Sequence, residues 1–267
     1  MKTTIKLAVA SALVAAATSA NAGIVIPAGD WTLDIGGVVN AYYTSTSFSG
    51  DKPADKAGEY GNGDTVNNIT TGLLPNYLSV SGKTRQNDLD VAFTISINPG
   101  ASTTHSGIQS AQQENRQAFL TFGDKSWGSI KLGKDLGIYA SDAILNDMTL
   151  LGVGSAAGSL AGNTTTLGRI GRGFMYADWK AQVAYTSPNW NGFSFTAGIT
   201  NPNQGFGTAN QDRFGLEGKA SYEFKGDVSG KVWASAITQK VEGLAYNPPG
   251  WNPGTDIASS SDRATAW

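Results

Sequence analysis

The feature that most limits what this chain can become is an alternation of apolar and polar residues over unusually long runs. From Arg213 to Phe224, the residues Phe214, Leu216, Gly218, Ala220, Tyr222 and Phe224 share one face. Arg213, Gly215, Glu217, Lys219, Ser221 and Glu223 share the other. A period of two places successive side chains on opposite faces of a strand. Trp31 to Tyr43 alternates the same way, with Trp31, Leu33, Ile35, Gly37, Val39 and Ala41 opposite Thr32, Asp34, Gly36, Val38 and Asn40. Such runs exceed the usual ~5–6 residues of a globular strand and match the ~9–11 of a tilted membrane strand.

Nine strands are expected, at residues 31–43, 77–85, 89–98, 115–123, 127–134, 180–187, 193–200, 213–224 and 228–240. The connections between them alternate long and short. Outer-membrane barrels, with short periplasmic turns and longer outer loops, show that rhythm, and a soluble sandwich has no reason to. The apolar faces of the first, third, seventh and eighth strands carry no charge. A lipid face demands this, because an Arg or Lys at the bilayer midplane costs about 2–4 kcal/mol. Alternation alone fits a soluble antiparallel sheet equally well; strand length and loop rhythm favour the barrel. Aromatics at strand ends, such as Trp31, Tyr43, Phe193 and Tyr222, fit interfacial girdles.

The N-terminus supplies the export route. Lys2 and Lys6 precede a short apolar run from Leu7 to Ala17, and Ala20-Asn21-Ala22 is an A-x-A cleavage site. Residues 1–22 are therefore expected to be a signal peptide and residues 23–267 the barrel domain. No later segment has the apolar length of a transmembrane helix. Without the signal peptide the chain keeps 17 basic and 21 acidic side chains, a formal charge of −4. That balance gives no support to nucleic-acid binding, which needs a clustered basic face. The absence of cysteine removes disulfides and thiolate metal sites.

The chain is organised around the stretch 115–185. A hairpin from Asn115 to Lys134 is followed by a long, small-residue loop at about 135–168, carrying Asp142 and Asp147. Long structureless loops are uncommon in compact domains. This one makes sense if the strands form a wall and the loop folds into the space they enclose.

Several motifs at this spacing resemble a known family. Ile35-Gly36-Gly37-Val38-Val39-Asn40-Ala41 resembles the first strand of the general trimeric porins of Gram-negative outer membranes. Asn115-Arg116-Gln117-Ala118-Phe119 with Trp127-Gly128-Ser129-Ile130-Lys131-Leu132-Gly133-Lys134 resembles their fourth and fifth strands. Leu167-Gly168-Arg169-Ile170-Gly171 looks like the end of their third loop, and Tyr185-Thr186-Ser187-Pro188 through Asn191-Gly192-Phe193 like their sixth-to-seventh turn. The resemblance implies an all-β, transmembrane antiparallel up-and-down barrel of sixteen strands, embedded in outer-membrane lipid. It also implies a homotrimer and passive diffusion of small hydrophilic solutes and ions through a water-filled pore. Carried over residue by residue, Asp142 and Asp147 are the candidate acids of the constriction loop. Arg116 and Arg169 are the matching basic residues, with Lys83, Lys131, Lys134 and Arg172 as neighbours. Opposed charges across a constriction orient polar solutes and weight cations against anions. The basic candidates outnumber the acids, which points to modest anion preference or little preference.

The chain departs from the family in two places. Leu150-Leu151-Gly152-Val153-Gly154-Ser155 stands where some members have a Pro-Glu-Phe-Gly-Gly turn. About nine strands are present, with the start of a tenth, so the sequence reads as an N-terminal part of a longer barrel. Other readings remain beside these. The loop acids also fit plain solvated carboxylates, and Asp147 fits the cap of a short helix. The barrel also fits a surface antigen or adhesion scaffold working through its long outer loops. An outer-membrane phospholipase needs a Ser/His pair, which the single histidine, His105 in a polar loop, supports poorly. No nucleophile elbow or phosphate-binding loop is present, so no enzyme activity or cofactor is expected. The acids Asp51, Asp55, Glu59 and Asp64 lack the spacing of a calcium loop, so no metal site is expected.

Overall fold

A computed structural model describes residues 23–47, 65–100, 113–147, 150–152, 177–203, 213–241 and 262–266. In chain order the strands begin with β1 (Ile24–Ala28), β2 (Trp31–Val38), β3 (Tyr42–Ser47), β4 (Thr65–Thr70) and β5 (Tyr77–Gln86). They continue with β6 (Leu89–Pro99), the two-residue β7 (Gln113–Glu114), β8 (Ala118–Asp124) and β9 (Gly128–Leu136). After a short helix α1 (Ser141–Leu145) come β10 (Trp179–Thr186), β11 (Phe193–Thr200), β12 (Gly215–Phe224), β13 (Gly230–Val241) and β14 (Asp262–Ala266). One antiparallel sheet runs β1-β2-β5-β6-β8-β9-β10-β11-β12-β13-β14, with β7 appended to β6. Each strand pairs with the next along this path, which is the up-and-down order of a barrel wall. Among the described residues no ladder joins β1 to β14, so the sheet is not closed.

All nine expected strands are present, as β2, β5, β6 and β8 to β13. Their short turns follow local chemistry. Asn87 and Asp88 both have positive φ, 49° and 62°. They form the two-residue link between β5 and β6 that matches strand twist. At the β8–β9 turn the Ser126 amide donates to Asp124 Oδ1 at 2.9 Å, and the Trp127 amide donates to Asp124 O at 3.2 Å.

The expected first strand is split, which is a correction to its boundaries. The β2–β5 ladder ends at Val38 opposite Tyr77. Asn40 then takes the backbone elsewhere. Its side-chain amide donates to Leu74 O at 2.8 Å, its Oδ1 accepts from the Gly72 amide at 2.8 Å, and its own amide donates to Asn76 Oδ1. The chain resumes as β3, which pairs only with β4 in a separate two-stranded sheet. The polar segment 44–74 thus contains a hairpin rather than connection alone. β1 also lies outside the expected set, whereas β14, paired with β13, stands where the start of a tenth strand is expected.

The two faces of the sheet invert the usual distribution. Val183, Ile199 and Leu216 stand side by side in register across β10, β11 and β12, and all three are exposed. Ile95, Leu120, Tyr222 and Val232 extend the same outward belt. Soluble monomers rarely expose a contiguous apolar surface of this kind. The opposite face is polar, and among the described residues most buried side chains are polar too, including Lys180, Gln182, Thr200, Glu217 and Gln239. The small apolar cluster of Leu136, Tyr139, Ala140, Ala177 and Ile237 gathers where the chain leaves β9 and packs over β13. Among the described residues no helix is long and apolar enough to cross a membrane; the apolar belt of strands does that work.

Candidate functional site

The site is built where the chain leaves β9. Gly137 allows the exit: a Cβ there would lie 2.2 Å from Ala177 O and 2.6 Å from Lys180 Cε. Its amide donates to Asp178 O at 2.8 Å, carrying the chain across β10. Ala140 then adopts a left-handed conformation, φ 56°, immediately before α1. For a residue with a Cβ this costs roughly 1–2 kcal/mol, so neighbouring contacts must hold it. The Tyr139 amide donates to Glu217 Oε2 at 2.8 Å, and the Ala140 amide donates to Ser235 Oγ at 3.2 Å.

Those partners sit on the polar faces of β12 and β13, three and four strands away from β9. Asp142, on α1, completes the attachment. Lys231 Nζ donates to its Oδ1 at 2.8 Å, and Lys219 Nζ lies 2.8 Å from its Oδ2 while donating to Ser141 Oγ at 3.0 Å. Burial by itself raises the Asp142 carboxyl, but the two ammonium groups outweigh it and hold it below the ordinary carboxylate value. Beneath this contact lies a second ion pair. Lys180 Nζ is 2.5 Å from Glu217 Oε1, with side chains 4% and 0% exposed, and Thr200 Oγ1 donates to the same oxygen at 2.8 Å. Glu217 therefore serves both the wall and the crossing segment.

Farther along, the segment reaches the other side of the sheet. The Leu73 amide donates to Gly152 O at 2.8 Å and the Leu74 amide to Leu150 O at 3.0 Å. Tyr42 Oη donates to Leu151 O at 2.6 Å. Residues 139–142 thus bond to β12 and β13, and residues 150–152 to Tyr42 and to the residues just before β5. Two cavities flank the crossing. One of about 440 Å³ is lined by β5 and β6 hydroxyls, Arg116 and the apolar side chains of the segment. The other, about 340 Å³, is lined by Lys131, Asp135, Ser141, Gln182 and Lys219 among others.

Comparison with known proteins bears on this architecture. A model of the Gram-negative porin family matches residues 8–261. The chain belongs to that family. Family membership places this porin in the outer membrane and makes its fold that of a channel. A solved structure of the Salmonella typhi OmpF complex with daunomycin is similar at 14% identity, over 81% of this chain and 68% of that one, with a TM-score of 0.36. Comparison with curated proteins gives no match.

The residues expected from sequence fall into distinct places in the porin. Asp142 is at the crossing, but its partners are Lys219 and Lys231 rather than Arg116. Arg116 is buried, with its guanidinium 5.5 Å above the Trp179 ring, within cation–π range. Lys131 is on the polar face and pairs with Asp135, which also accepts from Gln117 Nε2 at 3.1 Å. Its ammonium lies 4.7 Å from the centre of the Phe119 ring. Lys83 is on the polar face of β5, opposite Thr32 and Ala92 and near the short-turn end. Asp147 follows α1, and its carbonyl accepts from the Leu150 amide at 3.1 Å.

Lys134 is a correction. Its register partners Ala118 and Ala181 are on the exposed apolar face, and Lys134 is exposed with them. It stands three positions after Lys131, and in a continuous strand an odd spacing means opposite faces. Arg169 and Arg172 lie outside the described residues, as do His105, Asp51, Asp55, Glu59 and Asp64 and the signal-peptide stretch. Among the described residues no group of His, Cys, Asp and Glu is arranged to hold a metal.

Sequence reasoning missed Lys180, Glu217, Lys219 and Lys231 as site residues. The alternation of β12 already placed Glu217 and Lys219 on the polar face. It carried no signal that a segment some 80 residues earlier would bond to them.

Proposed function

We propose that this porin forms a water-filled channel for passive diffusion of small hydrophilic solutes and ions across the outer membrane. The polar face is its lumen, and the loop at about 135–168 folds inward to narrow it. The observation that carries this reading is the attachment of Asp142 to Lys219 and Lys231 on the polar faces of β12 and β13. A loop lying outside the barrel has no access to those side chains. Around the passage, Asp142, Asp135 and Glu217 face Lys131, Lys180, Lys219 and Lys231, with Arg116 beside Trp179. Asp147 and Lys83 belong to the same lumen, and Arg169 and Arg172 to the returning end of the loop. A lining with both signs of charge orders water and orients polar solutes across the pore. Because most of the acids are directly paired, their fields largely cancel, and the channel discriminates weakly between small ions.

The same proposal includes export through a signal peptide at residues 1–22, supported by the Lys2/Lys6, Leu7–Ala17 and Ala20-Asn21-Ala22 pattern, and assembly as a homotrimer, supported by the family resemblance. Planar-bilayer recording of the purified protein tests the channel. Stable ohmic steps are expected, and absence of any conductance refutes it.

A further inference from the structure

The crossing segment has a second fixing point, and it comes from a part of the chain that is not in the wall. Asp142 is tied to Lys219 and Lys231, and Leu150 stands eight positions later. At roughly 3.5 Å per residue, that length is enough to swing across a pore. What meets residues 150–152 therefore decides where the segment lies.

Their partners are organised by the connection between β2 and β5. Asn40, just past the end of β2, donates from its side-chain amide to Leu74 O and accepts at Oδ1 from the Gly72 amide, both at 2.8 Å. With the Asn40 amide donating to Asn76 Oδ1, this bracket sets residues 72–76 in place, where Leu73 and Asn76 are buried. The Leu73 and Leu74 amides are thereby aimed at Gly152 O and Leu150 O. Tyr42, the first residue of β3, reaches the residue between them, donating from Oη to Leu151 O at 2.6 Å. Gly72 is buried where these pieces meet. A Cβ on it would lie 2.5 Å from Tyr42 Cε2 and 2.8 Å from Gly152 O. Either the ring or the segment would have to withdraw, and each withdrawal opens the same contact.

We infer that Tyr42 and Gly72 are positioning residues of the passage, which hold residues 150–152 across it and restrict their movement. The β3–β4 hairpin, paired in a sheet of its own beside the wall, serves as a strut for the segment. This inference deepens the channel reading and rests on it for the effect on current, but not for the fixing of the segment.

Two measurements on the purified protein in lipid bilayers test it. The chain has no cysteine, so Leu151→Cys, at a side chain 66% exposed, gives a single site for a nitroxide spin label. Leu216→Cys, 55% exposed on the apolar face of β12, is the reference. The Leu151 label is expected to be mainly in its slow component. Adding Tyr42→Phe keeps the ring and removes one hydrogen bond, so the mobile fraction should rise about fivefold. Gly72→Ala should raise it at least as much, and the Leu216 label should be the same in every background. In single-channel recordings of the unlabelled variants, mean conductance and current noise should both increase. An unchanged Leu151 label, or equal loosening at both labels, overturns the inference. So does a loosened label in a conducting protein whose current is unchanged. Should the protein conduct no current, the channel reading fails, while the spin label still decides whether the hairpin fixes the segment.

Discussion

Lys231 Nζ donates to Asp142 Oδ1 at 2.8 Å across 89 residues of sequence. With Lys219 it fixes α1 against strands with which β9 itself does not pair. The crossing segment is thus held by charge at one end and by backbone hydrogen bonds to Leu73 and Leu74 at the other.

Asp142→Asn removes the charge while keeping the shape. Hydrogen bonds to charged groups contribute about 1.5–3 kcal/mol each, so loosening of the segment is expected. Single-channel recordings should show larger current noise and a higher mean conductance than wild type. Identical traces would remove Asp142 from the passage.

The pH dependence follows from the lowered Asp142 carboxyl. A depressed carboxylate contributes its stabilisation above its unfolded value, about 3.9. That contribution is lost only as pH falls through the lower folded value. Channel noise should therefore stay at its neutral-pH level down to about pH 4, and rise in stronger acid. In Asp142→Asn this transition should be absent.

The buried Lys180–Glu217 pair is expected to matter for stability more than for conduction. Breaking one partner of such a pair costs about 3–5 kcal/mol, whereas replacing both with apolar residues is often neutral. Glu217→Gln should lower the urea midpoint of unfolding, and adding Lys180→Met to Glu217→Gln, which removes the unpaired ammonium while an amide remains beside the Tyr139 amide and the Thr200 hydroxyl, should recover part of the loss. Equal midpoints for Glu217→Gln and wild type would show that the pair is not buried in the assembled barrel.

The two faces of β9 give a paired test of ion selectivity. Lys131→Ser leaves the Asp135 carboxylate without its ammonium partner, so the reversal potential in a salt gradient should move toward cations. Lys134→Ser is on the outer face and should leave the reversal potential unchanged. A shift with Lys134→Ser would contradict the register of Lys134 with Ala118 and Ala181.

A lipid-facing charge tests the apolar belt. Ala220→Arg, in the middle of β12, should destabilise the assembled protein by about 2–4 kcal/mol in urea titrations from bilayers. Ser221→Arg, one residue on and facing the polar side, should cost far less.

How much was legible depended on range. The alternation of β12 was plain in the sequence, because the face of each residue follows from its neighbours two positions away. The opposite faces of Lys131 and Lys134 were legible by the same rule, although both match a basic family motif. The break after Val38 was not, since Asn40 interrupts the strand through Gly72, Leu74 and Asn76, more than thirty residues distant. The crossing of residues 139–152 was not legible either. Its length and small residues showed in the sequence, but its direction came from Glu217, Lys219, Ser235 and Lys231.

By itself, then, the sequence determined a chain of long two-faced strands with alternating loop lengths, since those properties are local in period. Only the tertiary structure decided which charges meet. Ion pairs such as Asp142 with Lys231 form between residues that become neighbours once the sheet has brought β13 over the exit of β9, and nothing local in either stretch encodes that approach.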